Sequence, residues 1–386
     1  MQDLLERLPH YEEQLRAIKE TIITNIVLIG QVPSITFKEK QRAHVFMDRL
    51  AENQVDECTT DGYRNPIGVI RGRSKEKPPI FVVAHMDTFF EKDIVYNFRV
   101  TQNSITGPGI LDNSLSIGVM ASLPYIFRTL DIQFESDVVI AGVIQSIGKG
   151  NLRGIRHLLK TWATPIRGAV CLEGVNLGRL NYYSDGMIRC EIECRIRPQI
   201  RISRRFRPNA ILIINDIINQ ILSIRLPQRP RTQIVVGKIA GGVNHGGIPY
   251  EANLGFEIRS DSYKMVRSVF NNIGDIVEGI GHENEVDMKL KTISHLKASR
   301  LKFSHPLVKG ASAVIKSLGI EPLGEPSESE LSIFLSQSIP AVTIGITRGE
   351  NQYTENARME IDPMFTGIAQ LIGILQVIDS GVCDEK

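Results

Sequence analysis

Four short stretches of this chain, residues 80–85, 137–144, 168–173 and 341–345, are almost wholly apolar, and two of them end on ionisable residues, His85 and Glu173. A strand that is apolar throughout is buried on both faces. Parallel sheets bury strands this way because their crossover helices cover both sides. Helical periodicity fills the intervals at 110–128, 151–161, 306–318 and 362–379. It also runs through residues 1–55, with a break at 31–34 where Ser34 or Thr36 is placed to cap the next helix. The expectation is an α/β fold with a mostly parallel sheet between helices. The C-terminal strand ends, where His85 and Glu173 stand, are where such sheets collect their chemistry.

Between these stretches the pattern changes. Residues 186–197, 233–239, 250–259 and 286–291 alternate as strands, with helical segments at 208–224 and 262–279. The order β-α-β-β-α-β is the split βαβ arrangement of a ferredoxin-like domain. A chain of 386 residues is long for one core. The expected division is therefore a discontinuous domain at 1–181 and 295–386 and an inserted domain at 182–294. Cys190 and Cys194 lie four apart on a strand, hence on one face, as packing residues. The five cysteines form no close Cys-x-x-Cys pair and read as reduced thiols, which points to the cytoplasm. The N-terminus reads as an amphipathic helix and no apolar run looks long enough to span a bilayer. A net charge of +2 singles out no partner.

The motifs come in a recognisable order: His85-Met-Asp87-Thr88, a Gly-Pro-Gly-Ile-Leu-Asp-Asn run at 107–113, a Gly-Lys-Gly-Asn-Leu-Arg-Gly turn at 148–154, and Leu172-Glu173-Gly174. They continue with 241–249, which ends in Gly-Gly-Ile-Pro, then Glu257-Ile-Arg259, and Ile-Pro at 339–340 before the last apolar strand. Taken together they resemble the M20 family of metallopeptidases and amidohydrolases over nearly the whole chain. The resemblance implies a zinc-peptidase-like domain with an inserted lid that forms homodimers, acting on small peptides or N-acyl amino acids. It places one zinc on His85, Asp112 and Glu173, with Asp87 orienting the imidazole. Imidazole and carboxylate donors are what zinc takes, so the residue chemistry agrees.

Other positions depart from the family. Its general base and an adjacent glutamate ligand correspond to Gln145 and Ser146, and its final histidine ligand to Tyr353. An amide cannot take up a proton near neutral pH, serine is a poor zinc ligand, and a neutral phenol is a weak substitute for imidazole. The second zinc site is therefore expected to be empty. The family's lid histidine is missing from 195–209, and Gly246 replaces its substrate-binding asparagine, with Asn244 and His245 close by. Arg259 is kept and is either a carboxylate binder or a structural ion-pair partner.

The principal expectation is a catalytically impaired pseudoenzyme acting as a binding or scaffold protein. The alternative is a single-zinc hydrolase of amide bonds, with Asp87, Tyr353 or Glu355 recruited for proton transfer. Six arginines between 195 and 207 (Arg195, Arg197, Arg201, Arg204, Arg205 and Arg207) raise a third idea, an anion or nucleic-acid patch. Near-neutral overall charge and a single interleaved aromatic, Phe206, weigh against it.

Overall fold

The structure is a computed structural model and describes residues 2–90, 94–197, 208–327 and 329–384. It divides into two compact units, one formed by Met1–Tyr183 with Arg300–Lys386 and the other by Ser184–Ser299.

The first unit is built on a seven-stranded sheet. Its order is Glu57–Thr60, Pro66–Ile70, Val138–Val143, Ile80–His85, Gly168–Val175, Ala341–Thr347 and Leu180–Asn181. The four strands from Val138–Val143 to Ala341–Thr347 run parallel, and antiparallel strands close both edges. Burial of the His85 strand shows why its residues are apolar without alternation. Ile80, Val82 and Ala84 enter a core shared with helices Lys19–Gly30, Leu115–Thr129 and Asp362–Val377. Phe81 points the other way, edge-on to Trp162 at 4.8 Å and close to Phe334 at 6.3 Å. Both faces are covered, as the parallel arrangement requires.

Three local expectations need correction. Neither Ser34 nor Thr36 caps a helix: the helix begins at Lys40, and Thr36 donates its hydroxyl to Asp87 instead. The helix expected from residue 110 starts at Leu115, because Asp112 (φ −149°, ψ 79°) and Asn113 (φ −138°, ψ 36°) are not helical. Finally, two helices, Ile110–Thr129 and Asp362–Val382 with their irregular end turns, are long and apolar enough to cross a membrane. The first is 94% buried and the second 67% buried, which is how core helices satisfy the same criterion.

The second unit is a four-stranded antiparallel sheet ordered Thr232–Gly241, Glu251–Ser260, Gly186–Arg195 and Asp287–Leu296. Helices Ala210–Ser223 and Tyr263–Glu283 cover one face. Ile188, Cys190, Ile192 and Cys194 point into that core, with Arg189, Glu191 and Glu193 on the opposite face. The two helices begin on side-chain caps, Asn209 and Ser262, each accepting from the first-turn amides. This is the ferredoxin-like order expected from the sequence.

Candidate metal centre

Parallel register brings the site together. Ala84 and His85 lie level with Gly142 and Val143 at the end of the next strand, and Glu173 lies level with Gly345. Asp112 arrives from an irregular turn packed closely on the Glu173 strand. A Cβ at Gly174 would stand 2.3 Å from the Leu111 carbonyl oxygen, so glycine is required for that approach. Asn113 fastens the turn by donating its amide to the Leu172 carbonyl at 2.8 Å.

The donor atoms of His85, Asp112 and Glu173 all lie within 4.8 Å of one another. His85 Nε2 is 3.1 Å from Asp112 Oδ1, and its Nδ1 is 3.0 Å from the Asp87 carbonyl oxygen. Burial alone would lower the His85 pKa, but Asp112 and Asp87 outweigh it and hold the value well above the ordinary imidazole range. Loss of hydration, with Asp112 beside it, raises the Glu173 carboxyl to about 7, against the opposing pull of His85 and Arg179.

Asp87 is committed elsewhere. It accepts from Thr36 Oγ1 at 2.9 Å, from the Ile147 amide at 2.8 Å and from the Ser146 amide at 3.2 Å. These bonds and His85 overcome the penalty of burial and leave its pKa below the usual carboxylate range. Arg42, fully buried, donates to the carbonyls of Val32 (2.8 Å), Met86 (3.2 Å) and Gly30 (3.2 Å) and to Ser114 Oγ (3.3 Å). It thereby braces both the His85–Asp87 turn and the segment after Asp112.

The donor set suits a divalent cation. Among the described residues the Glu173 carboxylate makes no hydrogen bond, Asp112 receives one only from His85, and Asn113 Oδ1 is buried without a partner. Carboxylates so poorly satisfied gain from a cation, and two carboxylates with one imidazole make a zinc-type set.

The remaining predicted positions are occupied differently. Gln145 (φ +54°) accepts the Tyr63 hydroxyl on its side-chain oxygen at 2.7 Å, and its backbone N–H donates to Glu39 Oε1 at 2.9 Å. Ser146 donates its hydroxyl to Glu330 Oε1 at 2.6 Å. Tyr353 is 66% exposed, with its ring against Phe89. Glu355 is exposed. In the second unit Arg259 is paired with Glu257, which also holds Arg189, and Asn244, His245 and Gly246 lie in an exposed loop. Of the arginine cluster, Arg195 faces Glu251 at 3.6 Å and Arg197 is exposed. Arg201, Arg204, Arg205 and Arg207 lie outside the described residues.

Sequence reasoning missed Glu330, which is 2% exposed, and also Glu39, Tyr63 and Arg42. Topology carries a signal for the first. A helix feeding a parallel strand starts at the edge where the neighbouring strands end, and Glu330 immediately precedes helix Leu331–Ser336, which feeds Ala341–Thr347.

The fold and donor set thus define a peptidase-type α/β scaffold with the residues for a metal centre. The sequence model of the peptidase dimerisation domain matches residues 184–285. No curated protein sequence matches the chain. Among solved structures, a tripeptidase of Staphylococcus aureus subsp. aureus Mu50 superposes with a TM-score of 0.75 at 16% identity, covering 94% of this chain and 99% of the other. The Saccharomyces cerevisiae dipeptidase Dug1p gives 0.74 at 11% identity, covering 97% and 98%. The Bacillus subtilis protein YXEP, a dinuclear metal-binding peptidase of the M20 family, gives 0.62 at 16% identity, covering 94% and 98%. The chain therefore has the M20 peptidase fold, and its second unit carries that family's dimerisation domain.

Proposed function

We propose that this is a metal-binding protein of the M20 peptidase fold with impaired hydrolytic machinery. In this reading it holds one zinc on His85, Asp112 and Glu173. It binds a small peptide or N-acyl amino acid, and it associates as a homodimer through the inserted domain. The carrying observation is a contrast: three donors converge within 4.8 Å, while Ser146 is engaged by Glu330 and Tyr353 packs on Phe89. Zinc bound there would supply Lewis acidity. What the family's base position lacks here is a proton acceptor. Gln145 holds the base position as an amide, its oxygen already satisfied by Tyr63. Asp87 is fully buried and saturated with donors, so it orients His85 and does not exchange protons with a ligand. The five unpaired cysteines favour a reducing compartment, the cytoplasm.

One observation favours the alternative of a single-zinc hydrolase. Glu330 is a buried carboxylate within electrostatic reach of His85 and Glu173, and it gives the site an acid that the motif pattern does not account for. Elemental analysis after zinc equilibration, with turnover assays on N-acyl amino acids and dipeptides, tests both readings. One zinc per chain without turnover is the expected result. Two tightly held zincs would overturn the one-zinc assignment. Turnover lost in Glu330→Gln would establish the hydrolase.

A further inference from the structure

We propose that the surface beside the His85–Asp112–Glu173 centre is a recognition site for a ligand carrying both an aromatic ring and a carboxylate. The ring packs in the corner between Phe89 and Tyr353, and Arg179 binds the carboxylate. This deepens the function proposed above and rests on it for the placement of the ligand's acyl end.

The aromatic corner is built and not incidental. Phe89, 37% exposed, stacks on Phe90 with ring centroids 4.5 Å apart and 28° between planes. Phe90 is 6% exposed and meets Tyr96 edge-on at 6.4 Å, and the Tyr96 hydroxyl is tied to Thr88 Oγ1 at 2.8 Å. The ladder is therefore anchored in the turn that carries His85 and Asp87. The Tyr353 ring closes the corner at 60° to Phe89, with centroids 5.5 Å apart. Two rings crossed in this way, both left accessible, offer a third ring one face and one edge, the arrangements aromatic groups prefer.

The corner stands at the metal centre. Tyr353 follows strand Ala341–Thr347, whose Gly345 is level with Glu173, so its loop leaves from the same edge of the sheet. The charges of Asp112, Glu173, Arg179 and His85 all act on the Tyr353 hydroxyl. Arg179 lies just beyond the turn in which Leu177 returns beside Gly345, and its charge acts on Glu173 as well. Among the described residues its guanidinium makes no hydrogen bond or ion pair, in contrast to Arg259, which is paired with Glu257. A guanidinium with its donors open takes a carboxylate in bidentate fashion. An apolar wall with one convergent cation and a metal centre is what a pocket for a small amphipathic anion needs.

The test is isothermal titration calorimetry of the full chain, zinc-equilibrated, with N-acetyl-L-phenylalanine and N-acetyl-L-alanine as probes. The phenylalanine derivative should bind at least about tenfold more tightly, the scale of one aromatic contact plus ring burial. Tyr353→Ala, at an exposed position where folding is not at risk, should cut that ratio to about threefold or less, and Phe89→Leu should reduce it in the same direction. Arg179→Gln should weaken both probes by about tenfold or more and leave their ratio unchanged. Equal affinities in the wild type, no measurable binding of either probe, or a ratio kept in Tyr353→Ala would overturn the aromatic assignment. Unchanged affinities in Arg179→Gln would overturn that of the cation. Zinc stoichiometry, measured on the same samples, reports separately on the metal centre. If it is zero, the proposed metal function fails, while the ratio and its loss in Tyr353→Ala still decide the aromatic corner.

Discussion

Zinc uptake by the metal-free protein should release protons, in a number that depends on pH. Zinc needs a neutral imidazole and ionised carboxylates. His85 holds its proton well above the ordinary imidazole range, and Glu173 titrates at about 7. At about pH 6 both groups are protonated, so binding at the triad displaces about two protons. At about pH 8 Glu173 is already ionised, so fewer protons are released, and those come from His85. Apparent affinity should therefore climb about a hundredfold per pH unit near pH 6 and less steeply near pH 8. The two groups and Asp112 touch one another, so the steps belong to the cluster and not to single residues. Calorimetry in buffers of different ionisation enthalpy counts the protons directly. Release near zero at both pH values, with tight binding, would mean that zinc sits elsewhere or that the triad is already deprotonated. In the metal-free protein the same groups set a stability trend. Both pKa values are raised in the fold, so the folded state holds more protons than the unfolded chain. Stability should fall as pH rises from 4.5 towards 7 through Glu173, and further above 6.5 through His85.

Other outcomes follow from the contacts around the triad. Arg42→Met removes the donor to three carbonyls, two of them buried, and should lower unfolding free energy by about 3 kcal/mol or more, read by urea denaturation; a loss under about 1 kcal/mol would show that Arg42 does not brace the site. Glu330→Gln keeps an acceptor for Ser146 while removing a buried charge, so it should be near neutral in stability. Glu330→Ala strands the hydroxyl and should cost about 1–3 kcal/mol, and equal melts for the two variants would refute this account. Strand Thr232–Gly241 is an edge that leaves Val235, Val236 and Ile239 exposed, a surface that unpaired edges expose at risk of association. Light scattering should find a dimer that Val236→Lys with Ile239→Lys converts to monomer; a monomeric wild type at micromolar concentration would remove the homodimer.

The sequence by itself determined the α/β class and set His85 and Glu173 at strand ends for one reason, whereas Asp112 came only from the motif resemblance. Wholly apolar strand runs have a single stable setting, between two helical layers, and in parallel register their ends gather on one edge. His85 and Glu173 were legible because they close such runs, and Gln145, Ser146 and Tyr353 because the motifs around them persist. Residues that act through space were not legible. Glu330 is 184 residues from Ser146, and Arg42 is 44 residues from the Met86 carbonyl it holds. No local pattern names the partner of either one, because the hydrogen bond that defines each role exists only once distant segments have packed. Tertiary structure also decided how charges are allotted. It saturates Asp87, ties Arg259 to Glu257 and, among the described residues, leaves Glu173 without a donor. Hydration and hydrogen bonding, which set what an ionisable group can do, depend on neighbours that only the folded chain supplies.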